Sequence, residues 1–271
     1  MSFKQFVLTG LLAGGFYSSS THANERRFGY VYEPETLAQG GAEIESSTTL
    51  AAGRNQAVGQ ENYNRWDLRQ ELEYGVTDRY TIGFYLNEQA ESYRNSAGAN
   101  VSAFNWEGVS IENLYNVLNP ADNPVGLTLY LEGSYSGETA GLEEKIILGQ
   151  RHGDWKCALN LMHETEWNNN LQDTEGEAGA SFGVARDLGK NWSLGLEFRN
   201  VNAFPNYDSW ENSAFYLGPV VSYRQDKWWA TLTVMPQIYG WNNSASNDGN
   251  PNREFNDNET LNIRLLLGFR L

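Results

Sequence analysis

Apolar and polar residues alternate along most of this chain, and the pattern is clearest at the C-terminal end. Within 261–271 the odd-numbered positions from 263 onward are Ile, Leu, Leu, Phe and Leu, and mostly polar residues lie between them. A period of two places the two sets on opposite faces of a β-strand. The chain stops on the apolar face, which favours a transmembrane β-barrel, because there lipid covers the face and the first strand covers the edge.

The same alternation recurs through the chain and predicts twelve strands. Their ranges are 40–52, 64–76, 79–88, 105–118, 125–135, 141–151, 154–166, 176–187, 191–201, 211–224, 227–239 and 261–271. Each range has one apolar face and one polar face. The predicted fold is therefore all-β: a closed antiparallel transmembrane barrel of about 12 strands with up-and-down topology, formed by residues 39–271.

The lengths of the connections support a barrel over a soluble β-sandwich. The even-to-odd connections are short, at 77–78, 119–124, 152–153, 188–190 and 225–226. The odd-to-even connections are mostly longer and rich in Asn, Gly and acidic residues, at 53–63, 89–104, 136–140, 167–175, 202–210 and 240–258. Short periplasmic turns that alternate with long external loops are typical of outer-membrane barrels. In a β-sandwich, loop length has no reason to depend on whether the preceding strand is odd or even in number.

Tryptophan positions give a further indication. Trp155, Trp192 and Trp228 each follow a short turn, and Tyr80 has the equivalent position after another. A second set lies near the long loops: Trp66, Trp106, Trp167, Trp210 and Trp241. Two such belts are expected where amphipathic rings meet the two membrane interfaces, although the core of a sandwich would also hold tryptophan.

Two prolines interrupt this pattern. Pro219 and Pro236 fall inside the tenth and eleventh predicted strands, which one short turn joins. Each proline removes a hydrogen-bond donor from the sheet. We therefore expect a β-bulge or a local bend between these strands.

The beginning of the chain differs from the rest. Lys4, the apolar stretch 6–16 and the small residues of 18–23 predict a secretory signal peptide over 1–23, with a buried N-terminal helix as the alternative. Residues 24–38 are predicted to be a periplasmic extension that lies either under the barrel or inside it. Past the first two dozen residues no apolar run is long enough for a transmembrane helix.

Charge and cysteine content restrict the function. The net charge of −15 argues against binding to nucleic acid, which requires a basic face. Cys157 is the single cysteine, so an internal disulfide bond is impossible despite the predicted export. No cofactor is predicted.

Several segments resemble an uncharacterised family of Gram-negative outer-membrane barrels, which is similar in style to the channel family named "MetA-pathway of phenol degradation". The segments that carry the resemblance are 66–79 (WDLRQELEYGVTDR), 118–127, 191–199 (NWSLGLEFR), 215–219 (FYLGP) and 228–234 (WWATLTV). The resemblance covers nearly the whole chain after the signal peptide. It implies a barrel with a transport role, and it brings no established catalytic or binding residues.

The predicted inward faces carry acids and bases together. The residues predicted to line the lumen are Arg69, Glu71, Glu73, Glu112, Glu132, Lys145, Lys156, Glu164, Glu197, Arg199 and Arg264. One interpretation is a narrow channel whose charges select a small solute. The other is an internal network of ion pairs that fills a small lumen, since twelve strands enclose a space between that of filled eight-stranded barrels and that of open porins.

Other functions have weaker support. Outer-membrane lipases use a Ser–His pair, but His152 is predicted in a turn, His163 faces outward, and no serine lies in a nucleophile motif. No Cys/His spacing predicts a metal site, and the loop 240–258, with Asp248, Glu254 and Asp257 and with Glu259 directly after it, lacks the order of a calcium loop. A non-conducting barrel that presents its loops remains an alternative to a channel.

The predicted partners follow from the predicted location. They are outer-membrane lipid and lipopolysaccharide, a small solute, and the barrel-assembly machinery, which we expect to bind the C-terminal strand 261–271.

Overall fold

The computed structural model describes residues 25–54, 59–243 and 252–271, so the predicted signal peptide lies outside the described residues. The described chain forms twelve strands: β1 (Ala42–Ala52), β2 (Glu61–Thr77), β3 (Tyr80–Arg94), β4 (Asn100–Leu118), β5 (Gly126–Tyr135), β6 (Ala140–His152), β7 (Trp155–Asn168), β8 (Asp173–Leu188), β9 (Trp192–Pro205), β10 (Asn212–Arg224), β11 (Trp228–Asn242) and β12 (Leu261–Arg270). Among these residues no helix is long and apolar enough to cross a membrane.

The strands close into a single barrel. Each strand pairs antiparallel with its neighbours in the chain, and β1 pairs with β12, where Ile44 lies opposite Phe269. The predicted closed antiparallel barrel of twelve strands is therefore confirmed. Closure leaves no sheet edge unpaired, which a sheet in hydrocarbon requires.

The outer wall is apolar. Phe84, Leu196 and Leu265 belong to the predicted outward faces, and their side chains are exposed, Phe84 and Leu196 by 51% each. A soluble protein would bury such a continuous apolar surface, whereas lipid covers it in a membrane.

Aromatic residues form belts at both ends of this wall. At one end the rings of Trp192 and Tyr223 lie 4.7 Å apart, centroid to centroid. At the other end the corresponding distance between Trp210 and Trp241 is 4.9 Å. These are the two interfacial belts that the tryptophan positions predict.

The two ends of the barrel differ. One end, which we call the turn end, carries the short connections 78–79, 119–125, 153–154, 189–191 and 225–227. The opposite end, which we call the loop end, differs from the prediction. Several strands extend beyond their predicted bounds there, so three of the predicted long loops are reduced to the connections 95–99, 169–172 and 206–211. The extensions mix polar residues such as Glu91 and Asn100 with apolar ones such as Phe104, so the regular alternation that marks the rest of the strands is lost there.

The predicted irregularity between the proline-containing strands is present. The register between β10 and β11 shifts between Phe215 and Tyr216, and after the pair Tyr216–Gln237 the next paired residues are Val220 and Thr233. Pro219 pairs with β9, and Pro236 pairs with β12. The backbone hydrogen bonding between β10 and β11 is thus interrupted in the region of the two prolines, which have no backbone N–H group to donate.

Residues 25–41, which we call the luminal segment, run inside the barrel. Phe28, Val31 and Leu37 of this segment are buried to 2% exposure or less. Phe28 and Val31 pack with Ala158, Ala185 and other small inward residues of the wall. Of the two positions that the sequence leaves open for residues 24–38, the described part occupies the one inside the barrel.

Candidate functional site in the barrel lumen

The luminal segment enters and leaves the lumen at the turn end. At its start, Glu25 forms ion pairs with Arg270 and with Arg224, the latter at 3.1 Å. At its end, the N–H of Gln39 donates to the carboxylate of Asp78 at 2.9 Å. The residues between form a loop that reaches into the lumen and returns before β1 begins.

The tip of this loop is held by one carboxylate of the wall. Glu197 of β9 is fully buried and accepts hydrogen bonds from the backbone N–H groups of Gly29, Tyr30 and Val31 at 3.0, 2.8 and 3.0 Å. The Thr233 hydroxyl donates to the same carboxylate. Consecutive backbone N–H groups in a loop can bind an anion, and here the anion is the carboxylate of Glu197.

Neutral side chains of the wall satisfy the backbone farther along the loop. Asn160 accepts from the N–H of Tyr32 at 2.6 Å and donates to its carbonyl at 2.9 Å. Asn116 and Thr128 both donate to the carbonyl of Pro34 at 2.6 Å. These side chains take the place of a neighbouring strand, so the irregular backbone is not left unpaired in the lumen.

Glycines of the wall make room for the segment. A Cβ atom on Gly149 would lie 2.4 Å from the Pro34 ring, and one on Gly183 would lie 2.7 Å from the Phe28 ring. Both glycines face inward on their strands. Any larger residue at either position would displace the segment.

Ion pairs also link the segment to the wall. Arg27 pairs with Asp187 at 2.9 Å, and Lys156 pairs with Glu33 at 3.1 Å and with Glu35. The side chains of Arg27, Lys156 and Glu33 are each less than 10% exposed. Removing one partner of such a pair would leave an uncompensated buried charge.

Two tyrosines at the tip contact cations. The guanidinium of Arg264 lies 4.0 Å from the centre of the Tyr30 ring, and that of Arg26 lies 4.1 Å from the Tyr32 ring. Arg199 lies farther from Tyr30, at 5.4 Å. Cation–π contacts therefore add to the hydrogen bonds that fix the tip.

The inner wall also carries a continuous row of acids, which we call the glutamate row. Along the lateral register from β1 to β8, every strand but β3 contributes a glutamate, and β3 contributes Gly83. Its members are Glu43, Glu73, Glu112, Glu132, Glu143, Glu164 and Glu177. Because the strands of a barrel are tilted, the row climbs from Glu43 at the turn end of β1 to Glu177 near the loop end of β8.

Four bases partner part of this row. Arg69 pairs with Glu132, Lys145 with Glu143 at 2.7 Å, Arg199 with Glu177 at 3.9 Å, and Arg270 with Glu43 at 3.8 Å. The acids outnumber these bases, so the inner wall along the row is net negative.

At the loop end the row opens into an acidic pocket of about 320 Å³. Its acidic lining residues are Glu164, Glu166, Glu175, Glu177, Glu211 and Asp257. Burial, together with repulsion from the carboxylates of Glu254 and Glu211, raises the pKa of Asp257 above its ordinary value. The pocket therefore concentrates negative charge at the mouth of the lumen.

All eleven residues predicted to line the lumen have side chains on the inner side of the barrel. Glu197, Arg264 and Lys156 bind the luminal segment, and Glu164 lines the acidic pocket. The other seven lie on or beside the glutamate row, or next to the segment. Sequence reasoning selected charges only, and so it missed the roles of Asn116, Asn160 and Thr233, which the inward positions of the same strands could have indicated.

The residues considered for other chemistry have structural contacts. His163 contacts the Tyr207 hydroxyl at 3.0 Å and Glu144 at 3.7 Å, and within the described ranges it bonds to no serine. In the loop 240–258 the Glu254 carboxylate accepts N–H groups from Asn256 and Asn258, while Asp248 lies outside the described residues.

Sequence comparison places the chain in a family. Residues 20–143 and 148–271 match the family described as "Family of unknown function (DUF6662)". The chain belongs to this family of unknown function. No protein with curated annotation matches the chain.

Solved structures of outer-membrane barrels share the fold. The COG4313 outer-membrane channel from Pseudomonas putida F1 is 12% identical with a TM-score of 0.58, and the match covers 88% of this chain and 97% of that one. The β domain of the Bordetella autotransporter BrkA is 12% identical with a TM-score of 0.55, covering 86% and 100%. The NanC porin is 8% identical with a TM-score of 0.51, covering 85% and 100%.

At these identities the likeness concerns the fold, and it shows that the DUF6662 chain has the fold of outer-membrane β-barrels. The resemblance to outer-membrane barrels is thereby confirmed. The finer likeness to the "MetA-pathway of phenol degradation" family stays a prediction.

Proposed function

We propose that this protein is a passive channel for small, positively charged solutes in the outer membrane of a Gram-negative bacterium. The observation that carries the proposal is the glutamate row, which runs along the inner wall from the turn end to an acidic pocket at the loop end. Acidic side chains that line a passage favour cations over anions. On this proposal the turn end faces the periplasm and the acidic pocket faces the outside.

The luminal segment sets the width of the passage. It occupies much of the lumen with Phe28, Tyr30 and Tyr32, so a solute must pass beside the segment or displace it. The protein is therefore expected to conduct weakly while the segment is in place. The solute itself is defined here only by its size and charge.

Ion selectivity in planar bilayers tests the proposal. In a salt gradient the reversal potential of the refolded protein is expected to show preference for cations. The double variant Glu164→Gln/Glu177→Gln removes two charges of the row at the acidic pocket, and it should weaken that preference. Glu144→Gln is the matched control, because Glu144 lies on the outer face of β6 beside Glu143 of the row.

Anion preference of the parent protein, or an equal effect of the control, would contradict the proposal. A non-conducting barrel is the second candidate, and the ion pairs and hydrogen bonds that hold the segment favour it. Absence of channel events both with and without residues 25–38 would support that candidate. Catalysis at His163 is not part of the proposal, since the described contacts of its ring are Tyr207 and Glu144 and include no serine.

The predicted partners extend the proposal. The apolar outer wall and its aromatic belts suit outer-membrane lipid and lipopolysaccharide, and the strand β12 with its terminal Leu271 suits recognition by the barrel-assembly machinery.

A further inference from the structure

Three acids lie together on the inner wall where the row crosses β3. One carboxylate oxygen from each of Glu71, Glu73 and Glu112 lies within 4.8 Å of the other two. Glu73 and Glu112 belong to the glutamate row and flank Gly83, while Glu71 lies opposite Tyr85, two residues farther along. Barrel closure and strand pairing bring the three residues together from β2 and β4.

These carboxylates lack the partners that other acids of the lumen have. Their residues are 5%, 3% and 0% exposed. Oε1 of Glu71, Oε2 of Glu73 and Oε1 of Glu112 have no hydrogen-bond partner, and among the described residues no ion pair joins any of the three. Buried carboxylates are normally paired or bound to a metal, because an isolated buried charge is costly.

Gly83 leaves a space at the centre of this group. A Cβ atom on Gly83 would lie 2.6 Å from Oε1 of Glu71 and 3.3 Å from Cβ of Glu112. The unpartnered oxygen of Glu71 is therefore directed at the bare backbone of β3, between the two acids of the row. The absent side chain is what lets the three carboxylates converge.

We propose that Glu71, Glu73 and Glu112 bind a Ca²⁺ ion on the inner wall of the barrel. The donor set consists of carboxylate oxygens, which hard divalent cations prefer. Two oxygens that each lie about 2.4 Å from one Ca²⁺ ion can be up to about 4.8 Å apart, and the three carboxylate oxygens lie within that distance of one another. Such a site is not recognisable from Cys/His spacing in the sequence, because all three ligands are glutamates.

The surroundings of the site include hydroxyl donors and bases. The Tyr85 hydroxyl donates to the second oxygen of Glu112, and the Tyr32 hydroxyl donates to the same oxygen at 3.4 Å, which leaves the unpartnered oxygen for the ion. Arg26 of the luminal segment pairs with Glu45 at 3.0 Å, and Arg69, which lies over the Tyr85 ring, pairs with Glu132. The ion would therefore neutralise three carboxylates that form no ion pair among the described residues.

Binding of Tb³⁺ and Ca²⁺ to the refolded chain tests the proposal. After treatment with a chelator, the protein in detergent is titrated with Tb³⁺, whose emission is sensitised when it binds beside an excited tyrosine such as Tyr85. We expect Tb³⁺ emission that Ca²⁺ displaces, and calorimetry should give one Ca²⁺ ion per chain at this site.

A matched pair of glycine variants locates the ion. Gly83→Ala places a methyl group among the carboxylates and should weaken Ca²⁺ binding about 10-fold or more, as disturbance around metal ligands commonly does. Gly133→Ala is the control, because a Cβ atom there meets nothing within 4 Å on the outer face of β5. Glu71→Gln/Glu112→Gln should abolish the emission.

Three results would overturn the proposal: no displaceable Tb³⁺ emission from the parent chain at millimolar Ca²⁺, unchanged binding by Gly83→Ala, or loss of the same emission in Glu175→Gln, which alters only the acidic pocket. The heat-dependent gel mobility of each variant establishes that its barrel is folded. The binding assay needs no conductance, so its outcome is separate from that of the channel proposal.

Discussion

At the scale of single residues, the inner wall is specialised for holding a backbone. Glu197 accepts hydrogen bonds from three successive backbone N–H groups, and Asn160 pairs with the backbone N–H and carbonyl groups of Tyr32. Hydrogen bonds to an ionised acceptor are stronger than those between neutral groups. Glu197 is therefore the residue whose loss should most directly free the tip of the luminal segment.

Glu197→Gln tests that role. The amide keeps one acceptor but turns an NH₂ group toward N–H donors, so the bound position of the segment should lose roughly 2–3 kcal/mol. Limited trypsin digestion measures the change, because Arg26 and Arg27 are buried in the parent protein and become cleavable once the segment leaves the lumen.

Glu177→Gln serves as the control, since Glu177 lies on the wall and its ion pair is with Arg199 rather than with the segment. Equal protection of Arg26 and Arg27 in Glu197→Gln and in the parent would show that the carboxylate does not hold the segment.

At the scale of elements, the strands and the luminal segment depend on each other. The wall offers glycines where the segment passes, at Gly149 and Gly183, and polar groups where its backbone needs partners. The segment in turn supplies Phe28 and Val31, which form one of the apolar clusters of the lumen. It acts as a packed element of the fold although it has no regular secondary structure.

Removal of residues 25–38 is expected to raise single-channel conductance. The barrel closes through β1–β12 pairing that does not involve these residues, so the shortened chain should still fold. Its lumen would lose the aromatic side chains that fill it. Bilayer recordings of both forms measure the change, and equal conductance would mean that the segment does not limit the passage.

At the scale of the whole molecule, strand tilt turns a lateral line of residues into an axial path. The glutamate row is one register line of the sheet, yet it begins beside Ala42 at the turn end and finishes near Asp173 at the loop end. In a flat sheet with the same residue pairs, the acids would only form a line across the strands. In a closed barrel with tilted strands, the same line runs along the lumen from one end to the other.

Cation preference is expected to fall as the pH is lowered. A carboxyl group is charged above its pKa, and the pKa of Asp257 is raised, so this residue of the acidic pocket loses its charge at a higher pH than an ordinary aspartate does. Reversal potentials recorded from neutral to acidic pH measure the decline. In Asp257→Asn the decline should be smaller, because one titrating carboxyl group of the pocket is missing, and an identical pH profile would contradict this assignment.

The sequence by itself determined the wall of this protein. The period of two depends only on which residues face lipid and which do not, so the strands, their facing and both aromatic belts could be predicted locally, as Phe84 and Trp192 illustrate. The strand ends at the loop end could not be predicted, because polar and apolar residues such as Asn100 and Phe104 are mixed there and the regular alternation is lost.

Only the tertiary structure decided what the lumen contains. Residues 25–38 carry no periodicity that distinguishes a position inside the barrel from one beneath it, and their partners, such as Glu197 and Asn160, lie far along the chain. The convergence of Glu71, Glu73 and Glu112 around Gly83 likewise depends on the register between separate strands. Alternation fixes which side of a strand faces inward, but pairing across the barrel fixes which inward residues meet.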